Sequence, residues 1–221
     1  MKFVVALDGT AASGKGTLAK NIAKHFGFNY LDTGLLYRVV AYYVKSSASF
    51  SKITKQTVEN SLKLLRNKQF EIIDLRNEKI SQIASLISSN KVVRENLLNY
   101  QRTFACQNGG AVLDGRDIGT VVCPDADVKI FVDADIRIRA KRRYSQLLKN
   151  NSNANIENII KDLKNRDNLD KNRQLAPMVL AKDAILIDTS YITIREGTKK
   201  IISIISRKLE KLHWIVIFIL Y

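Results

Sequence analysis

Short, wholly apolar runs alternate along this chain with longer stretches in which apolar residues recur every three or four positions. Phe3 to Leu7 is apolar at each position and rich in valine, as expected of a strand buried on both faces. Further short, mostly apolar runs end at Asp114 (AVLD), span Val128 to Ala134 (VKIFVDA) and end at Thr189 (AILIDT). After the first run, Leu18, Ile22, Ala23 and Phe26 fall at helical spacing, and Gly27 supplies a stop. Other helical segments are expected over 35–45, 95–107, 136–149, 156–166 and 191–211. Strands alternating with helices predict an α/β fold, with a parallel sheet of about five strands covered on both faces. Ligands of such sheets collect at the carboxyl ends of the strands. Asp8, Asp32, Asp114 and Asp188 all sit at or just past apolar stretches. The Asn-rich KNNSNANIEN reads as a loop. HWIVIFILY, from His213 to Tyr221, is too short for a bilayer, which needs about 20 residues. It is expected to end a strand or helix packed on the core.

Composition narrows the class. The 221 residues are 46% hydrophobic and 26% charged, the balance of a globular protein with a real core. Cys106 and Cys123 have no metal-type spacing and suit a reducing cytosol. MKFVVALDG lacks the long apolar core of a signal peptide. A cytoplasmic protein is therefore expected. The net charge of +15 invites an anionic partner: nucleic acid, a membrane surface or a small polyanion.

The candidate chemistry begins at GTAASGKGT, Gly9 to Thr17. The spacing GxxxxGK lies between a strand and a helix, the context a phosphate-binding loop requires. Backbone N–H groups and the helix N-terminus would face one anion there. Lys15 would reach the terminal phosphates, and the hydroxyl of Thr17 would support Mg²⁺. The usual Gly-Lys-Ser/Thr is altered, because Gly16 separates Lys15 from Thr17. The loop alone does not identify the acceptor.

Three more motifs bear on the acceptor. LDTGLLYR (31–38) offers Thr33 and Arg38, and LDGRDIGTVVCPDA (113–126) offers Asp114, Arg116 and Asp117. RDNLDKNR (166–173) alternates charges and would, on its own, read as a solvated helix face. Together with the GKGT loop these stretches resemble the bacterial cytidylate kinases, from about Val4 to Leu186. The resemblance implies a three-layer P-loop NTPase fold and transfer of the γ-phosphoryl of ATP to CMP or dCMP. It also implies a monomer without nucleic-acid or membrane partners. The acceptor would be a phosphate already mostly dianionic near neutral pH, since its second pKa is about 6. No general base would be needed, in keeping with only two histidines, His25 and His213, neither in a motif.

By that resemblance, the backbone of Gly9, Thr10, Ala11, Ala12, Ser13, Gly14, Lys15, Gly16 and Thr17 holds ATP and Mg²⁺. Arg38, Arg116, Arg166 and Arg173 bind the acceptor phosphate, the last two from a closing lid. One of Arg142 or Arg143 serves the ATP side, or the two form a surface pair. Asp117, with Ser85 and Arg94, reads cytosine: a carboxylate accepts from the cytosine amino group and repels the uracil oxygen. Asp170 reads the sugar, and Thr33 stands where serine is common. Residues 1–34, 104–144 and 176–212 would form the core, 35–103 a CMP-binding insertion, 145–175 the lid and 213–221 a tail. Thr10 stands for a common proline, Ala12 for a common glycine, and Leu169 and Lys171 for common arginines. Ala12 would be strained at positive φ. The 65–76 segment is shorter than in relatives with an extra hairpin. A kinase for UMP and a nucleic-acid-associated P-loop ATPase are the competing readings.

Overall fold

In the computed structural model of the chain, the described residues are 2–45, 53–66, 75, 78–149 and 154–220, with backbone only at 66, 78, 149 and 213–220. The elements are β1 (Val4–Gly9), α1 (Lys15–Phe26), β2 (Asn29–Asp32), α2 (Thr33–Val44) and α3 (Lys55–Arg66). Next come α4 (Glu78–Ile87), α5 (Lys91–Ala105), β3 (Ala111–Asp114) and a π-helical turn at Ile118–Val122. They are followed by β4 (Val128–Asp133), α6 (Ile136–Lys149), α7 (Ile156–Asn172), β5 (Ile185–Asp188) and α8 (Ile194–Leu220).

The five strands form one parallel sheet in the order β2-β3-β1-β4-β5. The expected α/β, three-layer architecture is present. Alternation along β1 divides the core: Phe3, Val5 and Leu7 meet α1 and α8 through Leu18, Ile22, Ile201 and Ile205. Val4 and Ala6 face the other way, onto Ala105, Leu113, Ile118 and Val122. β1 is central, so the loop after it opens where the chain crosses to either side, the usual ligand crevice of such sheets.

A second apolar cluster lies away from the sheet. Leu36, Val40, Val58, Leu62, Ile80, Ile83, Val93 and Leu97 join α2, α3, α4 and α5. A small third one, Ala11, Ala140, Ile159 and Leu163, packs α6 and α7 over the phosphate loop. Asn90 and Asn155 cap α5 and α7, accepting from Val93 N (3.1 Å) and from Glu157 N and Asn158 N (2.8 and 3.1 Å).

Three expectations change. β5 is an edge strand, with Ile185 and Leu186 about half exposed, rather than a fully covered one. The helix expected over 156–166 runs on to Asn172, so RDNLDKNR is helical up to its last residue, Arg173, which caps the helix in an extended conformation. α8 starts at Ile194, and its backbone stays helical to Leu220. The packing of the tail's side chains lies outside the described residues, as do most of the 65–76 segment and part of the Asn-rich loop.

Candidate active site

The strand–loop–helix at the start of the chain forms as its spacing demands. Gly14 caps α1 at φ 90°, with no side chain capping the helix. The first N–H groups of α1 thus face the loop, a natural anion site. Gly16 has a steric reason: a Cβ there would lie 3.2 Å from Asp114 Oδ2. Ser13 Oγ donates to Thr10 O at 3.0 Å. Thr10 Oγ1 donates to Asp133 Oδ1 at 2.6 Å, which gives the residue in the common proline position a partner at the end of β4. Ala12 does sit at φ 60°, in the left-handed region, so its expected strain is real.

A cleft of about 520 Å³ opens over this loop. Ala11, Ala12, Lys15 and Gly16 line it from below, and Thr33 and Arg38 line it from α2. Ser85 enters from α4, Arg116 and Asp117 from the loop after β3, and Arg166, Asp170 and Arg173 from α7. Residues more than a hundred positions apart thus share one wall. Gly9, Thr10, Ser13 and Gly14 lie behind the lining, and Thr17 is exposed on the first turn of α1.

Three of the arginines that line the cleft are held by carboxylates. Arg38 Nη2 donates to Asp32 Oδ2 at 3.0 Å, and Arg116 Nε to Asp170 Oδ2 at 2.8 Å. Arg173 Nη2 donates to Asp117 Oδ1 at 2.8 Å, and Arg94 Nη2 to Asp117 Oδ2. Asp117 therefore gathers one guanidinium from α5 and one from the end of α7. Arg94 also donates to Ser88 O at 3.0 Å. Burial alone would raise the pKa of Asp170, but Arg116 and Arg166 outweigh it and hold the carboxyl below its ordinary value. Asp167 and Asp170 are both buried. The charged run is a helix, but its acids turn inward rather than toward solvent.

Lys15 is buried, and its Nζ donates to Thr10 O at 3.2 Å. Burial first, then the guanidinium of Arg116, brings its ammonium down to about 7, against the pull of Asp114. Burial pushes Asp8 up to about 6, although it accepts from Ile118 N and Gly119 N at 2.7 and 2.8 Å. Asp8 thereby pins the π-helical turn that follows Asp117. Thr33 Oγ1 donates to Asp114 O at 2.7 Å, so its hydroxyl is left as an acceptor toward the cleft. Ser85 Oγ is buried in the cleft wall with no hydrogen-bond partner among the described residues.

The two candidate arginines of α6 separate. Arg143 lines the cleft. Arg142 braces the loop from behind, donating to Ser13 O (3.3 Å), Thr189 Oγ1 (3.0 Å) and Thr189 O (2.5 Å). Sequence reasoning missed Arg139 and Asp167, a buried pair bonded to the phosphate loop at Ala11. A signal existed: Arg139 shares the helical face of Ile136 and Ala140, which pack inward. It also passed over Tyr30, whose hydroxyl donates to Asp114 Oδ2 at 2.6 Å.

A family profile described as cytidylate kinase matches residues 5–207. A cytidylate kinase of Bradyrhizobium diazoefficiens is 46% identical over 203 residues, 92% of this chain and 95% of that protein. A cytidylate kinase of Bartonella henselae is 46% identical over 195 residues, 87% of this chain and 89% of that protein. Among solved structures, an uncharacterized protein from Eubacterium ventriosum superposes with a TM-score of 0.54 at 14% identity. It covers 92% of this chain and 98% of its own, and bears on the fold alone.

Proposed function

The chain belongs to the cytidylate kinase family, enzymes that pass the γ-phosphoryl group of ATP to CMP or dCMP, and from that premise we propose how its residues divide the work. The carrying observation is the convergence of Arg38, Arg116, Arg166 and Arg173 with Lys15 on one cleft. Two polyanions must be brought together, and guanidinium forks bind phosphate oxygens two at a time.

The backbone of Gly9 to Thr17 and the start of α1 hold the phosphates of ATP, with Lys15 at the γ-phosphoryl. Arg143 serves the ATP side. The hydroxyl of Thr17 would be the protein's contact to Mg²⁺, which would supply positive charge to the phosphates of ATP.

Arg38, Arg116, Arg166 and Arg173 take the phosphate of CMP. The carboxylates paired with Arg38, Arg116 and Arg173 keep those forks oriented until phosphate replaces them. The acceptor oxygen is already anionic, so no proton needs to be removed. Catalysis rests on alignment and on neutralising charge that moves from the γ-phosphoryl to the β-phosphate. Asp117 accepts from the amino group of cytosine, with Ser85 and Arg94 beside it. Asp170 reads the sugar. Residues 145–175, which include α7, act as the lid that excludes water, and 35–103 form the CMP-binding insertion.

The enzyme acts as a monomer in the cytoplasm, without nucleic acid or membrane. No helix among the described residues is long and apolar enough to cross a membrane. Lys15→Ala separates the roles: phosphoryl transfer is expected to fall by at least about a hundredfold, with CMP binding nearly unchanged. Loss of CMP binding in that variant would contradict the division.

A further inference from the structure

Three ion pairs, about one helical turn apart, tie α7 and its capping residue Arg173 to the rest of the molecule. Asp170 takes Arg116, and Arg173 takes Asp117. Both of those ties use groups assigned above to nucleotide. The first tie, at Asp167, uses no side chain assigned to nucleotide and reaches the phosphate loop only through the backbone of Ala11. Arg139 Nη1 donates to Asp167 Oδ2 at 2.6 Å and to Ala11 O at 3.1 Å, and Nε donates to Ala134 O at 2.8 Å. Asp167 Oδ1 accepts from Ala11 N at 3.2 Å. Both the N–H and the carbonyl of Ala11 are thus bound, one residue before the left-handed Ala12. Both side chains of the pair are more than nine-tenths buried.

We propose that the Arg139–Asp167 pair is the positioning device that holds the phosphate loop and the acceptor-binding face of α7 in one register. Resting on the reading of α7 given above, it assigns these two residues a part in catalysis without contact to either nucleotide. When phosphate replaces Asp170 and Asp117 as the partner of Arg116 and Arg173, those two ties are exchanged. The Asp167 tie has no phosphate ligand to lose. It remains as the fixed point about which α7 settles, with Arg166 next to it and Arg173 two turns on. The same pair supports the backbone at Ala12, so the loop and the helix are set by one group.

The separation of positioning from mere stability is testable. Asp167→Asn, Asp167→Glu and Arg139→Lys are made in the full chain, and kcat, the affinity of each nucleotide alone and the melting temperature are recorded. Asp167→Glu keeps the buried charge paired but moves it by one methylene, so it serves where Asp167→Asn does not fold. The expected result is a loss in kcat of about thirtyfold or more, below the melting transition. Each nucleotide alone would bind within about fivefold of the parent, as expected where positioning fails but binding survives. Arg139→Lys, which keeps the charge and loses the fork, is expected to fall between. A lowered melting temperature with kcat of the folded protein unchanged would overturn the proposal. Arg173→Gln is the control. Loss there with none at Asp167 removes this proposal alone, whereas loss at neither removes the reading of α7 as well.

Discussion

With Lys15 in its proposed place at the ATP phosphates, ATP binding should depend on pH in a direction opposite to simple charge neutralisation of the nucleotide. Burial and Arg116 hold its ammonium at about 7 in the free cleft. A triphosphate beside it favours the charged form and raises the pKa again. Binding therefore takes up a proton above neutrality. With the bound pKa restored toward the ordinary lysine value of about 10, the dissociation constant should scale as 1 + 10^(pH − pKa). It should weaken about fivefold between about pH 7 and about pH 8, and about tenfold per unit beyond that. At about pH 8 close to 0.9 of a proton would be taken up per ATP. The nucleotide's own phosphates, with a second pKa of about 6, contribute little in that window. Titration calorimetry in two buffers of different ionisation enthalpy measures the uptake directly. Lys15→Arg keeps its charge throughout and should lose the dependence. An affinity for ATP that is flat from about pH 7 to about pH 8.5 in the parent enzyme would refute this account of the lysine.

Ala12→Gly should stabilise the protein. A left-handed alanine costs about 1–2 kcal/mol, and glycine returns about 0.5–1 kcal/mol of that as unfolded-state entropy. The net gain of about 0.5–1 kcal/mol should raise the melting temperature by about 1–4 °C, and a fall would contradict the strain. Gly16→Ser, which writes the more usual Gly-Lys-Ser into the loop, should push against Asp114 at the 3.2 Å approach. Overpacking of that kind costs about 1–3 kcal/mol, so kcat/KM for ATP should drop by about tenfold. An unchanged value would mean that Asp114 and Tyr30 give way freely.

The sequence carried much of this in its periodicities. The unbroken apolar run from Phe3 to Leu7 marked β1 as a strand buried on both faces, and GxxxxGK between a strand and a helix located the phosphate loop. β2 was harder to read because NYLD is only half buried and was visible chiefly through Asp32 at its end. RDNLDKNR looked like a solvated face because charge counts do not say where a side chain turns. Only the packing of α7 over Ala11 shows that Asp167 and Asp170 are enclosed. Neighbouring residues also hid their difference. Arg142 and Arg143 are about 100° apart on a helix, so one braces the loop and the other reaches the cleft. The backbone angle of Ala12 is set by the loop as a whole and is not encoded in the residue itself.

The central claim is that one carboxylate, Asp117, selects cytosine while the arginines around it hold phosphate. It is tested most directly by the ratio of kcat/KM for CMP to that for UMP, in the parent enzyme and in Asp117→Asn. The account predicts a strong preference for CMP that shrinks by about ten- to a hundredfold in the variant, the range of a lost charge-assisted hydrogen bond of about 1.5–3 kcal/mol. A ratio near one in the parent, or one unaltered by the substitution, would contradict it.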